Sequence, residues 1–81
     1  MSTIEIYSPL PGIFYRSPSP DKPPFAVDGQ SVEADTVIGL IEVMKQFSEV
    51  LAEQSGSNIQ FLIANGADVE PGQLIATLEI I

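Results

Sequence analysis

Apolar residues between positions 38 and 54 recur at a spacing typical of one face of an α-helix. They fall three or four positions apart, at Leu40, Ile41, Met44, Phe47 and Leu51. Leucine, glutamate, methionine, lysine, glutamine and alanine in the same window are good helix formers. Taken alone, the window predicts an amphipathic helix with Lys45 on its solvent-exposed face.

An internal repeat predicts strands for the same window. Gly29–Glu42 aligns with Gly66–Glu79 at a constant offset of 37 residues (66 − 29 = 37). In each copy a turn, a Val-Glu step and a second turn precede an apolar segment. The second copy ends in the β-rich run LIATLEII, which has no helical periodicity. If the two halves fold alike, residues 37–43 form a strand.

The repeat also requires a chain reversal near Met44 and Lys45, with the second half beginning at residues 46–52. A Met-Lys pair is poor chemistry for a tight hairpin turn, which favours Asn-Gly or Gly-Gly. An unfavourable turn retained at a lysine suggests a functional site. The patterns alone leave the helix and the hairpin both open.

A second pair of landmarks locates an inserted loop. Gly12 and Gly56 each precede a strand-like segment at an offset of 44 residues (56 − 12 = 44), seven more than the offset of the other repeat (44 − 37 = 7). The extra residues therefore lie between Gly12 and Gly29. That interval contains SPSPDKPP at 17–24, which consists of turn formers and stiff residues. Apolar residues flank it on both sides, which favours a rigid projecting loop over an interdomain linker.

Composition excludes several classes of function. The chain has no cysteine, so it has no disulfide, no thiolate metal site and no cysteine nucleophile. It has no histidine either, so it lacks the usual general base of catalysis. Eleven acidic residues against three basic ones give a net charge of −8, which repels phosphate backbones and anionic lipids. No secretory signal and no membrane-spanning run is visible. We expect one cytoplasmic domain over residues 1–81, with neither nucleic acid nor membrane as a partner.

The residues around Lys45 carry a family resemblance. Glu42-Val43-Met44-Lys45-Gln46 is similar to the Glu-Ala-Met-Lys-Met motif of bacterial biotin carboxyl carrier proteins of acetyl-CoA carboxylase. The inserted loop at about 17–24 corresponds to the "thumb" of those carriers. Together with the glycines and the repeat, the resemblance to their biotinyl domain extends from about Ile6 to Ile80.

The resemblance implies an all-β fold, a flattened barrel of two four-stranded antiparallel sheets related by a quasi-twofold axis. Lys45 would then lie on an exposed hairpin turn, and the helix prediction would fail. The candidate core residues on this fold are Val32, Val37, Ile41, Val50, Ile59, Leu62, Val69, Leu74 and Leu78.

The implied function is that of a carrier. A biotin protein ligase would attach biotin to the amine of Lys45. The biotin would then carry carboxylate between the biotin carboxylase and carboxyltransferase sites of an acetyl-CoA carboxylase, in fatty acid synthesis. The carrier itself would catalyse nothing.

The remaining site residues are also implied by the resemblance. Met44 would assist recognition by the ligase, and Glu42 would help to distinguish the biotin ligase from the lipoate ligase. Val43 and Gln46 complete the surroundings of the acceptor. The thumb residues, which would contact biotin, are Ser17, Pro18, Ser19, Pro20, Asp21, Lys22, Pro23 and Pro24. The alternatives are ordinary turn packing for Met44, a surface charge for Glu42 and a passive loop for the thumb.

The chain departs from the family pattern at three places. Val43 replaces the usual alanine, Gln46 replaces the usual methionine, and Leu10-Pro11 replaces a typical Met-Val. The preceding region and Pro/Ala-rich linker of the bacterial carriers are not in this sequence, so a free-standing carrier and a trimmed piece of one both stay open.

Several other functions compete with that of a carrier. An unmodified biotinyl-like docking module remains open because of Val43 and Gln46. A lipoyl carrier would show Asp-Lys-Ala at the tip and would lack the thumb. An acyl carrier would need an Asp-Ser-Leu acceptor, and a small helical interaction protein would need the helix over residues 38–54.

Overall fold

The computed structural model describes residues 2–80 as an assembly of β-strands, with no helix among them. The seven strands are β1 (Ser2–Tyr7), β2 (Gly12–Tyr15), β3 (Val37–Val43), β4 (Gln46–Leu51), β5 (Ser57–Phe61), β6 (Ala67–Val69) and β7 (Leu74–Ile80). Within these residues, no helix is long and apolar enough to cross a membrane.

The strands form two antiparallel sheets. The first has three strands in the order β1-β7-β5, and the second has four in the order β4-β3-β2-β6. The fold measures 38 × 27 × 20 Å along its principal axes, which is the flattened shape expected of two stacked sheets. The predicted all-β architecture is therefore confirmed.

The hairpin predicted at Met44 and Lys45 is also confirmed. β3 and β4 pair along their length, from Val37 opposite Leu51 to Val43 opposite Gln46. The helix predicted by local pattern over residues 38–54 does not form. Of the five apolar residues in that pattern only Ile41 is buried, whereas Met44, Phe47 and Leu51 are exposed, so the helical spacing does not mark a single buried face.

The two halves of the chain are related by the expected quasi-twofold symmetry. β1 and β4 show the same order of exposed and buried positions, and so do β3 and β7. The hydrogen bonds repeat as well. The amide of Ser8 donates to the carbonyl of Gln73 at 2.8 Å, and the amide of Ala52 donates to the carbonyl of Thr36 at 3.0 Å. These donors are 44 residues apart and the acceptors 37, the two offsets found in the sequence.

The expected pair of four-stranded sheets differs from the structure in one strand. The segment equivalent to β6 is reduced to an isolated bridge between Val32 and Gly56. Asn58, with φ 53°, adds a bulge to β5 at this point, and the ladder with β7 shifts register between Ser57 and Gln60. The extra residue interrupts regular pairing, so the eighth strand does not extend beyond the bridge.

The core lies between the sheets and includes most of the predicted residues. Val32, Ile41, Val50, Ile59, Val69 and Leu78 are buried as expected. The prediction was wrong for Leu62, which is 53% exposed because it follows Phe61 and so points to the opposite face of the chain. Val37 and Leu74 are only partly buried.

The sequence prediction missed part of the core. The buried residues that it did not name are Ile6, Phe14, Ala26, Ile38, Ala52, Ile75 and Ala76. Ile38 and Ile75 lie at equivalent points of the two halves, so the same repeat that located the strands also relates these two core positions (75 − 38 = 37).

Candidate functional site

The β3–β4 turn presents Met44 and Lys45 to solvent. Their φ angles are 51° and 67°, so both central residues of the two-residue loop are left-handed. This is the geometry of a type I′ turn, whose twist matches that of the flanking strands. Met44 is 91% exposed, and Lys45 and Gln46 are also exposed. The turn therefore places a primary amine and an uncovered thioether side by side at one extremity of the sheet.

The turn is energetically unfavourable for these residue types. A left-handed conformation costs a residue with a Cβ about 1–2 kcal/mol, and glycine or asparagine would relieve this strain. Since Met44 is almost fully exposed, burial of its side chain does not offset the cost. The residues at the turn are thus poorly explained by folding alone, which is the usual sign of a functional constraint.

The residue pair next to the turn belongs to the outer face of the four-stranded sheet. Glu42 lies opposite Phe47, one pair further from the tip than Val43 and Gln46. Glu42 is half-buried and Phe47 is 58% exposed. Because side chains alternate along a strand, Glu42 and Phe47 share a face that excludes the core residue Ile41.

Tyr15 extends this face on β2. Its hydroxyl donates a hydrogen bond of 3.1 Å to Oε1 of Glu42, and its ring lies 6.3 Å from that of Phe47 at 50°. The hydrogen bond to the anionic carboxylate, together with desolvation and repulsion by the same charge, raises the pKa of Tyr15 above its ordinary value of 10.0. Tyr15 therefore stays protonated and holds the carboxylate of Glu42 in place.

The predicted thumb is a loop between β2 and β3 that is closed at its base. The amide of Phe25 donates to the carbonyl of Arg16 at 2.8 Å. Inside the loop, the amide of Lys22 donates to the carbonyl of Ser19 at 3.1 Å, and the Ser19 hydroxyl donates to Asp21 at 2.7 Å. With φ fixed at its four prolines, the loop has few alternative conformations.

Arg16 fastens the base of the thumb to the barrel. Its amide donates to Oδ1 of Asn65 at 2.7 Å, and its guanidinium carbon lies 4.2 Å from the centroid of the Phe61 ring. The guanidinium also approaches Asp28 at 3.8 Å. Asp28 in turn accepts a hydrogen bond of 2.9 Å from the amide of Phe61. Arg16 thereby connects the thumb with three other segments of the chain.

A groove of about 280 Å³ separates the first part of the thumb from the outer face of the sheet. Its lining consists of Tyr15, Ser17, Pro18, Ser19, Pro20, Leu40, Glu42, Phe47 and Asn65. The groove begins two residues from Lys45, which is roughly 7 Å along a strand. A flexible group on the Lys45 amine could therefore fold back into it.

The groove unites some of the predicted site residues and leaves others apart. Glu42 and the first four thumb residues line it, whereas Asp21, Lys22, Pro23 and Pro24 do not. Met44, Lys45, Val43 and Gln46 form the adjacent tip.

Sequence reasoning missed four lining residues. Tyr15, Leu40 and Phe47 could have been found from strand alternation, because each shares the outward face with Glu42 once the hairpin register is known. Asn65 could not, since it reaches the groove only through its long-range bond to Arg16.

Metal chemistry has no support among residues 2–80, where no three acidic or other metal-binding side chains cluster closely enough to hold an ion. The groove itself combines apolar walls with one carboxylate, one carboxamide and three hydroxyl-bearing side chains. Such a lining suits a small ring that is apolar on its faces and carries hydrogen-bonding groups at its edge.

Comparison with known proteins relates this architecture to biotin-dependent enzymes. The sequence profile of the biotin/lipoyl family, described as "Biotin-requiring enzyme", matches residues 4–78. The chain is 46% identical over 67 residues to the biotin carboxyl carrier protein of acetyl-CoA carboxylase of Chlamydia pneumoniae, covering 83% of this chain and 40% of that protein.

Two further relatives carry the same name. The protein of Chlamydia trachomatis serovar D is 48% identical over 67 residues, covering 83% of this chain and 41% of its own length. That of Pseudomonas aeruginosa is 37% identical over 73 residues, covering 90% and 47%. The chain thus spans less than half the length of each of these three relatives.

Proposed function

Since the chain belongs to the biotin/lipoyl family of biotin-requiring enzymes, we propose that it is a biotin carboxyl carrier domain whose Lys45 receives the biotin. The observation that carries this proposal is the strained, exposed Met44–Lys45 turn beside the thumb groove. Packing does not explain the strain, whereas a requirement that a ligase bind the exposed turn would explain it.

The residues of the carrier expose the Lys45 amine to the ligase. An ordinary lysine amine is mostly protonated at neutral pH, so an external ligase must supply an activated biotinyl group and take up the proton. The type I′ turn projects the amine away from the barrel, and Met44 offers an exposed apolar contact beside it. Lys22, the chain's other lysine, lies in the thumb without such a neighbour.

The second part of the proposal concerns the groove. When attached, biotin supplies a ureido nitrogen that takes up and releases carboxylate. The bicyclic ring has apolar faces and a polar ureido edge, which fits apolar walls at Tyr15, Leu40 and Phe47 with polar groups at Glu42 and Asn65. The thumb encloses the ring between visits to partner sites, and Arg16 holds the thumb in the enclosing position.

The partners follow from the carrier role. A biotin protein ligase loads Lys45, a biotin carboxylase loads the carboxylate, and a carboxyltransferase removes it, as part of an acetyl-CoA carboxylase in fatty acid synthesis. A tethered ring visits both enzyme sites at high effective concentration without tight binding. On this proposal the chain performs no chemistry itself.

The proposal is tested by loading and carboxylation in sequence. The purified chain is incubated in parallel with a biotin ligase and biotin and with a lipoate ligase and lipoate, each with ATP. Peptide mapping then locates the label, and a biotin carboxylase with ATP and ¹⁴C-bicarbonate tests its use. We expect biotin on Lys45 that accepts label from bicarbonate. Lipoylation instead would favour a lipoyl carrier, and no loading would favour a docking module.

A further inference from the structure

Glu42 and Asn65 stand at opposite ends of the Tyr15 side chain within the groove. Glu42 accepts the hydrogen bond of the Tyr15 hydroxyl, and Asn65 accepts that of the next backbone amide, at Arg16. Both line the groove. They are therefore both held next to Tyr15, which lines the groove with them.

Each of the two side chains has a defined unused polar group. A backbone amide can only donate, so the bond from Arg16 fixes Asn65 with Oδ1 toward the thumb base, and its NH₂ group donates to no residue in the described range 2–80. Glu42 receives Tyr15 on Oε1, and no residue among 2–80 hydrogen-bonds to Oε2. The groove thus offers one fixed donor and one fixed anionic acceptor.

A cyclic urea complements this pair. Its N–H groups can donate to Glu42 while its carbonyl accepts from the NH₂ group of Asn65. The dithiolane ring of a lipoyl group has no N–H donor and no carbonyl, so it would hydrogen-bond to neither protein group.

The charge of the groove adds a second criterion. Glu42 is the only charged side chain in the lining, and none of the chain's three basic residues contributes to it. A ring that bears a carboxylate on its ureido nitrogen has lost the N–H donor at that atom and gained an anion facing Glu42. Like charges at this range in a partly buried site repel appreciably.

We propose that Glu42 and Asn65 make the thumb groove selective for a neutral cyclic urea, so that the groove holds the uncarboxylated ring and releases the ring that carries carboxylate. This inference rests on the proposed function for the identity of the ring. It assigns to Glu42 a role in sorting the two states of the arm, and it makes Asn65 a specificity-determining residue outside the thumb.

The test uses a tether that does not depend on any ligase. The chain contains no cysteine, so a Lys45→Cys variant can be alkylated at one site with iodoacetyl derivatives of chosen rings. Three probes are compared: biotin, biotin with one ureido N–H replaced by N-methyl, and biotin with the same N–H replaced by N-carboxymethyl. The second is neutral and the third is anionic.

Occupancy of the groove is read by NMR from the shifts of the Asn65 side-chain NH₂ and of the Ser17 and Ser19 amides. We expect the biotin probe to occupy the groove most, and the anionic probe to bind roughly tenfold less than the neutral methyl probe. In Glu42→Gln, whose amide oxygen can still accept from Tyr15, the anionic and methyl probes should bind equally. Asn65→Ala should lower occupancy by biotin. The β7 amide shifts report that each variant is folded.

Equal occupancy by the anionic and methyl probes in the Glu42 protein, or a difference that persists in Glu42→Gln, would overturn the proposal. So would shifts at Asn65 that do not respond to any probe. Failure of a ligase to load Lys45 would defeat the proposed function and would leave these tethered measurements unaffected.

Discussion

Gly12 and Gly56 occupy equivalent positions in the two halves of the barrel, each against the backbone of an adjacent strand. A Cβ at Gly12 would lie well under 3.0 Å from the carbonyl oxygen of Glu42, and a Cβ at Gly56 would meet that of Glu79 in the same way. Gly12 pairs with Val69, and Gly56 bridges to Val32, its counterpart. The quasi-twofold axis therefore relates these two close approaches of a glycine to an adjacent strand, as well as the strand order.

We expect Gly12→Ala and Gly56→Ala each to lower the free energy of unfolding by about 2–3 kcal/mol, because the added methyl forces the two strands apart. Urea denaturation measures the change. The matched control is Gly72→Ala. The φ of Gly72 is 83°, but apart from its chain neighbours no atom lies within 4 Å of an added Cβ, so we expect the free energy of unfolding to fall by only about 1 kcal/mol. Equal effects at the three glycines would contradict the close-contact explanation.

The strain at the turn leads to a second prediction. Met44→Asn should raise the free energy of unfolding by about 0.5–1 kcal/mol, since asparagine tolerates a left-handed conformation better than methionine does. Gln46→Asn, at the exposed position on the strand side of the turn, is the control and should bring no gain. If Met44→Asn is neutral or destabilising, the turn is not strained as its φ angles imply.

Tyr15 should ionise above its ordinary pKa of 10.0, because its hydroxyl is hydrogen-bonded to the charged Glu42. The pKa of Tyr7 is raised in the same way by Glu5, so the titration is done in Tyr7→Phe, by phenolate absorbance. The proton is held more tightly in the folded state. The hydrogen bond therefore contributes its full stabilisation below about pH 10 and loses it as the pH rises through the pKa of Tyr15.

Glu42→Gln is the matched variant for this titration. It removes the charge and keeps an acceptor for the hydroxyl, so the pKa of Tyr15 should fall toward 10.0. An unchanged titration curve in Glu42→Gln would show that another group determines the ionisation of Tyr15.

Arg16 should control the opening of the thumb. Replacing it by alanine removes the contact with the Phe61 ring and the approach to Asp28, and this loss should lower the free energy of local opening by about 1 kcal/mol. Hydrogen exchange at the Phe25 amide, which bonds to the carbonyl of residue 16, should accelerate accordingly. Lys22→Ala, which lies inside the thumb but outside these contacts, is the control and should leave that exchange rate unchanged. A comparable acceleration in Lys22→Ala would show that Arg16 does not specifically control the opening of the thumb.

The sequence predicted the fold mainly through its symmetry. Residues 38–54 have the composition of a helix, and it was the copy at Gly66–Glu79, together with the family resemblance around Lys45, that indicated a strand over Ile38–Glu42. The bulge at Asn58, by contrast, carries no sequence signal strong enough to predict that the eighth strand is reduced to a bridge.

The candidate site was predictable in part for a similar reason. The tip and the thumb are each a continuous segment of the chain, so their residues could be predicted from the sequence. The groove is made by segments far apart in the chain, which are brought together by the register of β2 against β3 and by the hydrogen bond between Arg16 and Asn65. Such contacts follow from tertiary structure, and a single sequence does not specify them.

The central claim is that Lys45 is the biotin acceptor, and intact mass spectrometry of the chain co-expressed with a biotin ligase tests it most directly. Lys45→Ala is compared with Lys22→Ala, which removes the other lysine. We expect the chain without substitutions and the Lys22→Ala variant each to gain the mass of one biotinyl group, and the Lys45→Ala variant to gain none. Biotinylation of the Lys45→Ala variant, or no biotinylation of the chain without substitutions, would contradict the account.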